Sequence, residues 1–518
     1  MPITTTIPLR AGTKQWLALA VLMLPVLLIS VDNTVLSFAL PKISRVMAPT
    51  GTQLLWMVDI YPLVLAALLV PMGALGDKVG RRTLLLVGCV GFAVVSAFAS
   101  FAPDAIWLIA ARGALGFFGA MLMPATLSLL RNIFLDPNQR RAALAIWASG
   151  FSAGAVLGPV MGGFLLEHFW WGSIFFIATL ILIPALILMP LLVPNSRSEA
   201  PGSIDPLSIM LVMAAMFGLV YALKVGATEG LEHLSIYPAA LVGAVTTWAF
   251  VRRQNKLENP MLDMSLFHSK TFTGGLLSNL ITMTSMTGFM IFYSQYVQLV
   301  VGLTPMQAGL TMLPGVLCSI FSGLFVVRLA QSFRPAHLVA AALTLAVTGY
   351  TFVAAGGFTG ASFLIFVLGF MLLGLGNGAA QTLANDAIIG GVDANKAGAA
   401  SAVSETAYEF GSVLGAAILG TVLTAIYRLN VQVPAGYSTT DQHIAQETLG
   451  GAMDAATRYP EPAASALISS AQNAFSLGVG YSSIVAVALC SAGIISALTL
   501  LKSLPKARDN TVRQGSGH

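Results

Sequence analysis

Long apolar runs separated by short polar loops fill most of this chain. A helix needs about 20 apolar residues to cross roughly 30 Å of hydrocarbon. Fourteen stretches of that length can be read, near 15–40, 53–73, 83–102, 105–130, 142–166, 172–193, 205–225, 236–252, 272–300, 306–328, 336–356, 361–386, 398–427 and 474–502. The pattern predicts an all-α polytopic membrane protein. Ser37-Phe38-Ala39 is similar to a cleavage site, but the first stretch is too long for a signal peptide and contains Asp32, so it reads as an uncleaved span. A polar connection over about 430–472 separates the last two spans. Its Ala, Gln and Glu content would permit a short helical hairpin on the outer surface, yet a plain spacer is the favoured expectation, since loops tolerate insertions.

Composition agrees with the pattern. Of the 518 residues, 56% are hydrophobic and only 9% charged, against about 25% charged in a soluble domain; the mean hydropathy is +0.83. The net charge of +5 and pI near 9.1 raise the question of a nucleic-acid partner. The cations are scattered over short loops and form no patch, so none is expected. With the amino terminus in the cytoplasm, 20 of the 26 Lys and Arg fall on that side, only Lys42, Arg45, Lys224, Arg428 and Arg458 fall outside, and Arg112 lies within a span. The positive-inside rule then places both termini in the cytoplasm and accounts for the basicity. Cys89, Cys318 and Cys490 lie far apart in apolar segments and imply neither a disulfide framework nor a zinc site. The six histidines, scattered over loops, ends and tail, make no catalytic or metal constellation.

Charges inside the spans carry the chemistry. An ionised carboxylate at mid-membrane costs roughly 2.5 to 3.5 kcal/mol on insertion scales, and VDNTVLSFALP puts Asp32 in the first span. Counting about 1.5 Å per residue, Asp32, Asp59 and Arg112 each lie roughly 10 to 12 Å inside the outer ends of spans one, two and four. They can therefore meet at one depth. Two carboxylates sharing one guanidinium leave one able to take a proton, which is the equipment of proton coupling; a purely structural ion pair is the alternative. In SAVSETAYEFGSVLG of span thirteen, Glu405 and Glu409 are four apart on one helix face, with Tyr408 beside Glu409. Carboxylates with aromatic neighbours in a dry cavity suit large lipophilic cations. Glu405 could instead be a hydrated interfacial residue, and Asp386 at the inner end of span twelve reads as interfacial.

Two glycine-bearing stretches add to this. GALGDKVGRRTLL joins spans two and three, with Gly73 and Gly80 permitting close approach and a tight turn, Asp77 offering a carboxylate, and Arg81 and Arg82 on the cytoplasmic side. In the fifth span, GAVLGPVMGG repeats Gly154, Gly158 and Gly162 every four residues, followed by Gly163, while Pro159 removes a backbone donor.

Together VDNTVLSFALP, WMVDIY, the Gly73 loop, Arg112 and the Gly154 pattern resemble the fourteen-span drug:proton antiporters of the major facilitator superfamily, and most nearly the Qac-type quaternary-ammonium and dye exporters. The resemblance covers essentially the whole chain. It implies two six-helix bundles, residues 1–200 and 261–505, with two inserted helices at 201–260, the external loop at 430–472 and a cytoplasmic tail at 506–518. It implies proton coupling by Asp32 and Arg112, and handling of cationic substrate by Asp59, Glu405 and Glu409 with Trp56, Tyr61 and Tyr408. Gly73, Asp77, Gly80 and Arg81 would form a conformational gate. Gly154, Gly158, Pro159, Gly162 and Gly163 would be the antiporter motif that importers generally lack. Ser322 to Pro335 echoes the gate loop faintly, but Val327 stands where an aspartate would. Leu313 to Gly323 has no acidic residue, unlike some relatives, which counts against efficient handling of divalent cations. The expectation is a monomeric exporter of quaternary ammonium compounds, dyes, biocides and antibiotics in the bacterial cytoplasmic membrane. It would need no cofactor or metal and would run on the proton motive force. A proton-linked importer is the alternative; an enzyme or receptor would need a catalytic constellation or an attached soluble domain.

Overall fold

A computed structural model of the chain describes residues 11–134, 136–197, 205–228, 233–258, 260, 262–360, 363–392 and 397–502. They form eighteen α-helices and, among the described residues, no strand. Before the expected insertion run α1 (Thr13–Met47), α2 (Gly51–Val79), α3 (Arg81–Ala99), α4 (Ala105–Gly119), α5 (Leu122–Ile133), α6 (Pro137–His168) and α7 (Ser173–Leu192). The insertion is α8 (Pro206–Thr228) and α9 (Ile236–Gln254). After it come α10 (Lys270–Gln295), α11 (Pro305–Leu329), α12 (Pro335–Thr359), α13 (Phe363–Gly390), α14 (Ala397–Gly415), α15 (Thr421–Asn430), α16 (Thr439–Glu447), α17 (Leu449–Ala456) and α18 (Ala463–Leu500). Each of the fourteen expected spans coincides with a helix or an interrupted helix pair. Twelve of these segments are long and apolar enough to cross a membrane. The other two expected spans are occupied by α6 and α9, which do not meet that measure among the described residues.

Local signals start and stop the helices. Thr50 and Thr304 accept from the backbone of Gln53 and Gln307, whose side chains reach back to the cap residue, so otherwise unpaired backbone donors are satisfied. Pro305 follows Thr304 at the first helical position, where its missing N–H costs nothing. Span four is interrupted, α4 ending at Gly119 and α5 starting at Leu122. Span thirteen carries a π turn at Ala416–Gly420 between α14 and α15.

The first seven helices pack chiefly on one another, as do α10–α18. Between these sets, α2 lies on α14 and α6 on α11. On α6, Cβ atoms added at Gly154, Gly158 and Gly162 would strike Ser30, Thr34 and Val35 of α1, and one at Gly163 would lie 2.7 Å from the Met306 Cα and the Pro305 carbonyl of α11. The glycine pattern is thus where one helix presses both on its own set and on the other. A second tie joins the sets on the same face of the protein, Gln298 Nε2 donating to the Phe38 carbonyl at 3.3 Å.

That face also carries the correction to the expected spacer at 430–472. The segment holds two helices, α16 and α17, joined to the ends of both sets. Glu447 accepts from the Gly51 backbone N–H at 2.7 Å at the start of α2 and is ion-paired with Arg428 at the end of α15. Gly450 of α17 sits against Ser44 of α1. Within the hairpin, Ser438 Oγ and Tyr459 Oη donate to Asp441 at 2.7 and 2.8 Å, and Arg458 pairs with it at 2.5 Å. The last span also begins earlier than expected, since α18 starts at Ala463.

The Ser438 hydrogen bond first, then those of Tyr459 and Arg458, hold the Asp441 carboxyl below the ordinary aspartate value. A carboxyl depressed by folding stabilises the hairpin fully above its unfolded pKa, about 3.9. That contribution falls away as pH drops through the lower folded value. Amide exchange in residues 439–459 is expected to rise, relative to the helices beneath, as pH falls from 5 to 3. An Asp441→Asn variant should lose this pH step, and an unchanged step would show that Asp441 does not hold the hairpin.

Candidate functional site

The only buried ion pair among the described residues joins α1 to α4. Arg112 Nη1 donates to Asp32 Oδ2 at 2.6 Å, the side chains 2% and 4% exposed. Arg112 Nε donates to the Met57 carbonyl of α2 at 3.3 Å, and its guanidinium lies 4.4 Å from the centre of the Tyr61 ring, one turn further along α2. A glycine makes this approach possible. A Cβ at Gly116, one turn past Arg112, would lie 2.5 Å from the Tyr61 carbonyl, so α4 rests on the α2 backbone itself. The arginine is thereby held by charge, by a backbone acceptor and by a ring face, three contacts that a flat guanidinium can make together.

Tyr61 is fully buried, its ring beneath Arg112 and edge-on to Phe92 of α3, so it supports the arginine. Sequence reading missed the Met57 carbonyl, because a backbone acceptor leaves no trace in residue type.

The remaining acidic residues line the seam between α2 and α14. On α2, Trp56, Asp59, Leu63 and Ala66 recur at three and four residues and share a face. Leu63 and Ala66 pack in one cluster with Val413 of α14 and Ala417 of the π turn, placing that face on the seam. The two strands of helix run antiparallel, Leu55 meeting Gly420 and Gly51 meeting Thr424. In this register Asp59 lies level with Ala416, Glu409 about 10 Å further along, and Glu405 one turn beyond. Asp59 is fully buried and Glu409 is 2% exposed, while Glu405, Tyr408 and Trp56 are half-buried. Glu405 and Glu409 have no ion-pair partner among the described residues. Trp56 stacks on Phe217 of α8, with ring centres 6.1 Å apart and planes 13° from parallel. A separate open cleft lies nearer the hairpin, between Leu54, Val58, Gln295, Thr424, Glu447 and Phe475, and none of Asp59, Glu405 and Glu409 lines it.

The expected gate loop lies on the opposite face. Gly80 has φ +114°, a conformation that favours glycine, and joins α2 to α3. Arg81 N–H donates to the Ser196 carbonyl at 2.9 Å. Arg82 Nη1 donates to the Val193 and Pro190 carbonyls at 2.9 and 3.2 Å, a cation placed on the end of α7 where helix carbonyls are unsatisfied. Gly73 meets Pro124 of α5 at ordinary contact distance. The Asp77 side chain lies outside the described residues. Val327, in the faint second copy, is exposed near the end of α11.

Known proteins with similar sequences point one way. A family model described as Major Facilitator Superfamily matches residues 22–416. Multidrug efflux pump LfrA of Mycolicibacterium smegmatis is 51% identical over 492 residues, covering 93% of this chain and 95% of that one. Methyl viologen resistance protein SmvA of Salmonella typhimurium is 34% identical over 503 residues, covering 96% and 99%. Among solved structures, a bacterial homolog to the human lysosomal transporter Spinster, in an inward-facing and occupied conformation, matches with a TM-score of 0.68 at 15% identity, over 95% of this chain and 98% of that one.

The geometry around Arg112 sets a stability test. Arg112→Ala leaves Asp32 buried without its cation, which typically costs about 3 to 5 kcal/mol. Arg112→Lys cannot make the forked contacts to Asp32 and the Met57 carbonyl together. Both variants should lower the thermal midpoint of the detergent-purified protein, with alanine the worse. An alanine midpoint equal to that of the parent would mean the pair contributes nothing to folding.

Proposed function

The chain belongs to the major facilitator superfamily, and from that premise we propose that it is a proton-coupled multidrug exporter of lipophilic cations, including quaternary ammonium compounds, dyes and cationic biocides. Membership makes it a multi-pass membrane transporter and not an enzyme. Export, as against proton-linked import of a small solute, is supported by relatives named as a multidrug efflux pump and a methyl viologen resistance protein. Methyl viologen is itself a flat aromatic dication, so the missing acidic residue in span ten is weak ground for excluding divalent cargo.

The observation that carries the coupling is the buried pair of Asp32 and Arg112 at 2.6 Å. With Asp32 ionised the two charges offset one another in a place where either alone is costly. A proton arriving on Asp32 removes the attraction and leaves Arg112 on the Met57 carbonyl and the Tyr61 ring. The preferred position of α4 relative to α1 then changes, so protonation biases the packing of the two helices. Glu409, Glu405 and Asp59 supply the negative charge met by a cation in the α2–α14 seam, with Trp56 and Tyr408 as aromatic neighbours. Tyr61, beneath Arg112, links the ion pair to this seam.

The rest of the reading follows from the same arrangement. Residues 1–200 and 261–505 act as two six-helix bundles, 201–260 as the inserted pair and 506–518 as a tail. The ties between the helix sets at the hairpin face support an inward-open state. In this state Gly154, Gly158, Pro159, Gly162 and Gly163 keep the outer side shut, and Gly73, Asp77, Gly80 and Arg81 belong to the inner gate. Both termini are cytoplasmic, the protein is a monomer in the bacterial cytoplasmic membrane, and the proton gradient replaces any cofactor.

The test uses inverted vesicles with an acidic lumen, where ethidium should be driven inward as protons leave. One proton exchanged for a monovalent cation responds to the pH difference alone, worth about 1.4 kcal/mol per unit. A second proton adds roughly 2.3 kcal/mol per 100 mV, so collapsing the potential separates the two stoichiometries. Asp32→Asn should abolish pH-driven uptake at unchanged expression, and near-normal uptake would remove Asp32 from the mechanism. Glu409→Gln is expected to hurt cations more than a neutral cargo, because Coulomb attraction in a low-dielectric site is what it supplies. Equal losses for both would assign Glu409 to structure or proton transfer.

A further inference from the structure

The inserted helix α8 does not stand apart from the seam. It packs on α2 and, across the seam, on the π turn and α15. Met216 and Val220 enter one cluster with Leu63, Ala66 and Ala67 of α2 and with Val413 and Ala417 from the other side, and Met213 and Phe217 pack against it. Leu207, Met210, Leu219 and Leu223 of α8 are exposed and apolar, as residues toward lipid are, and α9 packs along the same helix, Gly243 meeting Leu219. α8 therefore backs the wall that carries Asp59 and, further along, Glu409. Phe217 is half-buried there, its ring nearly parallel to that of Trp56, which is one turn of α2 from Asp59.

We propose that Phe217 is a specificity-determining residue for the cation site, its ring completing with Trp56 an aromatic surface, one turn of α2 from Asp59, for planar aromatic cations. The proposal rests on the reading of the chain as a cation exporter and extends the site to the inserted helices. The chemistry is that of ring faces, whose negative quadrupole attracts a delocalised cation and whose flat surface stacks on a flat one. A cation wrapped in alkyl chains gains little from either. Met213 and Met216 beside the rings are unbranched and adaptable, which suits a wall that meets cargoes of unequal shape. The charge of the carboxylates attracts any cation; the ring pair sorts them by shape.

Ethidium and tetrabutylammonium are the probes, measured as uptake into inverted vesicles and as equilibrium binding to the purified full-length protein. Phe217→Leu keeps an apolar side chain and removes the ring, and should lower the ethidium-to-tetrabutylammonium ratio by about three- to tenfold, the range expected for loss of one aromatic pair. Phe217→Tyr restores the ring face and should restore the ratio. The proposal is overturned if leucine lowers both probes together, which would make Phe217 a packing contact for α8, or if the ratio does not move. If the parent protein binds both cations with the expected leucine effect but transports neither, the exporter reading fails and the ring assignment stands. If the ratio fails while transport is intact, the reverse holds.

Discussion

A guanidinium and a carboxylate buried together inside a membrane protein constrain everything around them. Separately, Asp32 and Arg112 would each be costly at that depth. Held at 2.6 Å, they need three helices in fixed relation, since the acid is on α1, the base on α4, and the base's backbone acceptor and ring support on α2. Gly116 lets α4 lie directly on α2, and the α6 glycines let α6 lie directly on α1. The close packing serves the pair because van der Waals contact, and not hydrophobic burial, is what associates helices in lipid. The ion pair is the charged contact that ties α1 to α4.

The second constraint is that the two helix sets must touch without fusing. Their contact along α2 and α14 is apolar except for the acidic residues placed on it, and such a seam can hold charge only where water or a cation offsets it. Ties near the hairpin are of another kind, short hydrogen bonds and an ion pair around Glu447, Gly51 and Arg428. Polar ties of this sort can exchange with water at a membrane surface, whereas the backbone-to-backbone approach of Gly163 to Pro305 and Met306 leaves no room for gradual adjustment. Packed interfaces of that type tend to have discrete arrangements, not a continuum.

The segments that look dispensable from their position in the chain are integrated at both faces. The hairpin α16–α17 joins α1, α2 and α15, and α8 spans the seam. At the opposite face Arg253 pairs with Asp205 through two hydrogen bonds of 2.6 and 3.0 Å, and the arginine holds that carboxyl down at about 2. Gln254 bonds Ser208 and the Leu262 backbone, tying the inserted helices to each other and to the segment leading into α10. An insertion with its ends fixed in this way keeps a defined position against the bundles, which is what a helix forming a wall of a site needs.

Sequence alone determined the positions of the spans, because hydrocarbon thickness fixes how long an apolar run must be. It put Asp32, Asp59 and Arg112 at one depth, and of the two carboxylates the structure pairs Asp32 with Arg112, while Asp59 lies on the face of α2 toward α14. It also marked the close-packing face of α6, because a glycine every fourth residue on a helix has one steric meaning. Only the tertiary structure decided which aromatic residues serve which charge. Trp56 and Tyr61 are five residues apart on one helix, and a rotation of about 500° along α2 sends the first to α8 and the second beneath Arg112. It likewise decided that 430–472 is an ordered hairpin and that α8 meets the seam. Those outcomes depend on contacts between segments far apart in the chain, and composition and periodicity report only what each segment prefers by itself.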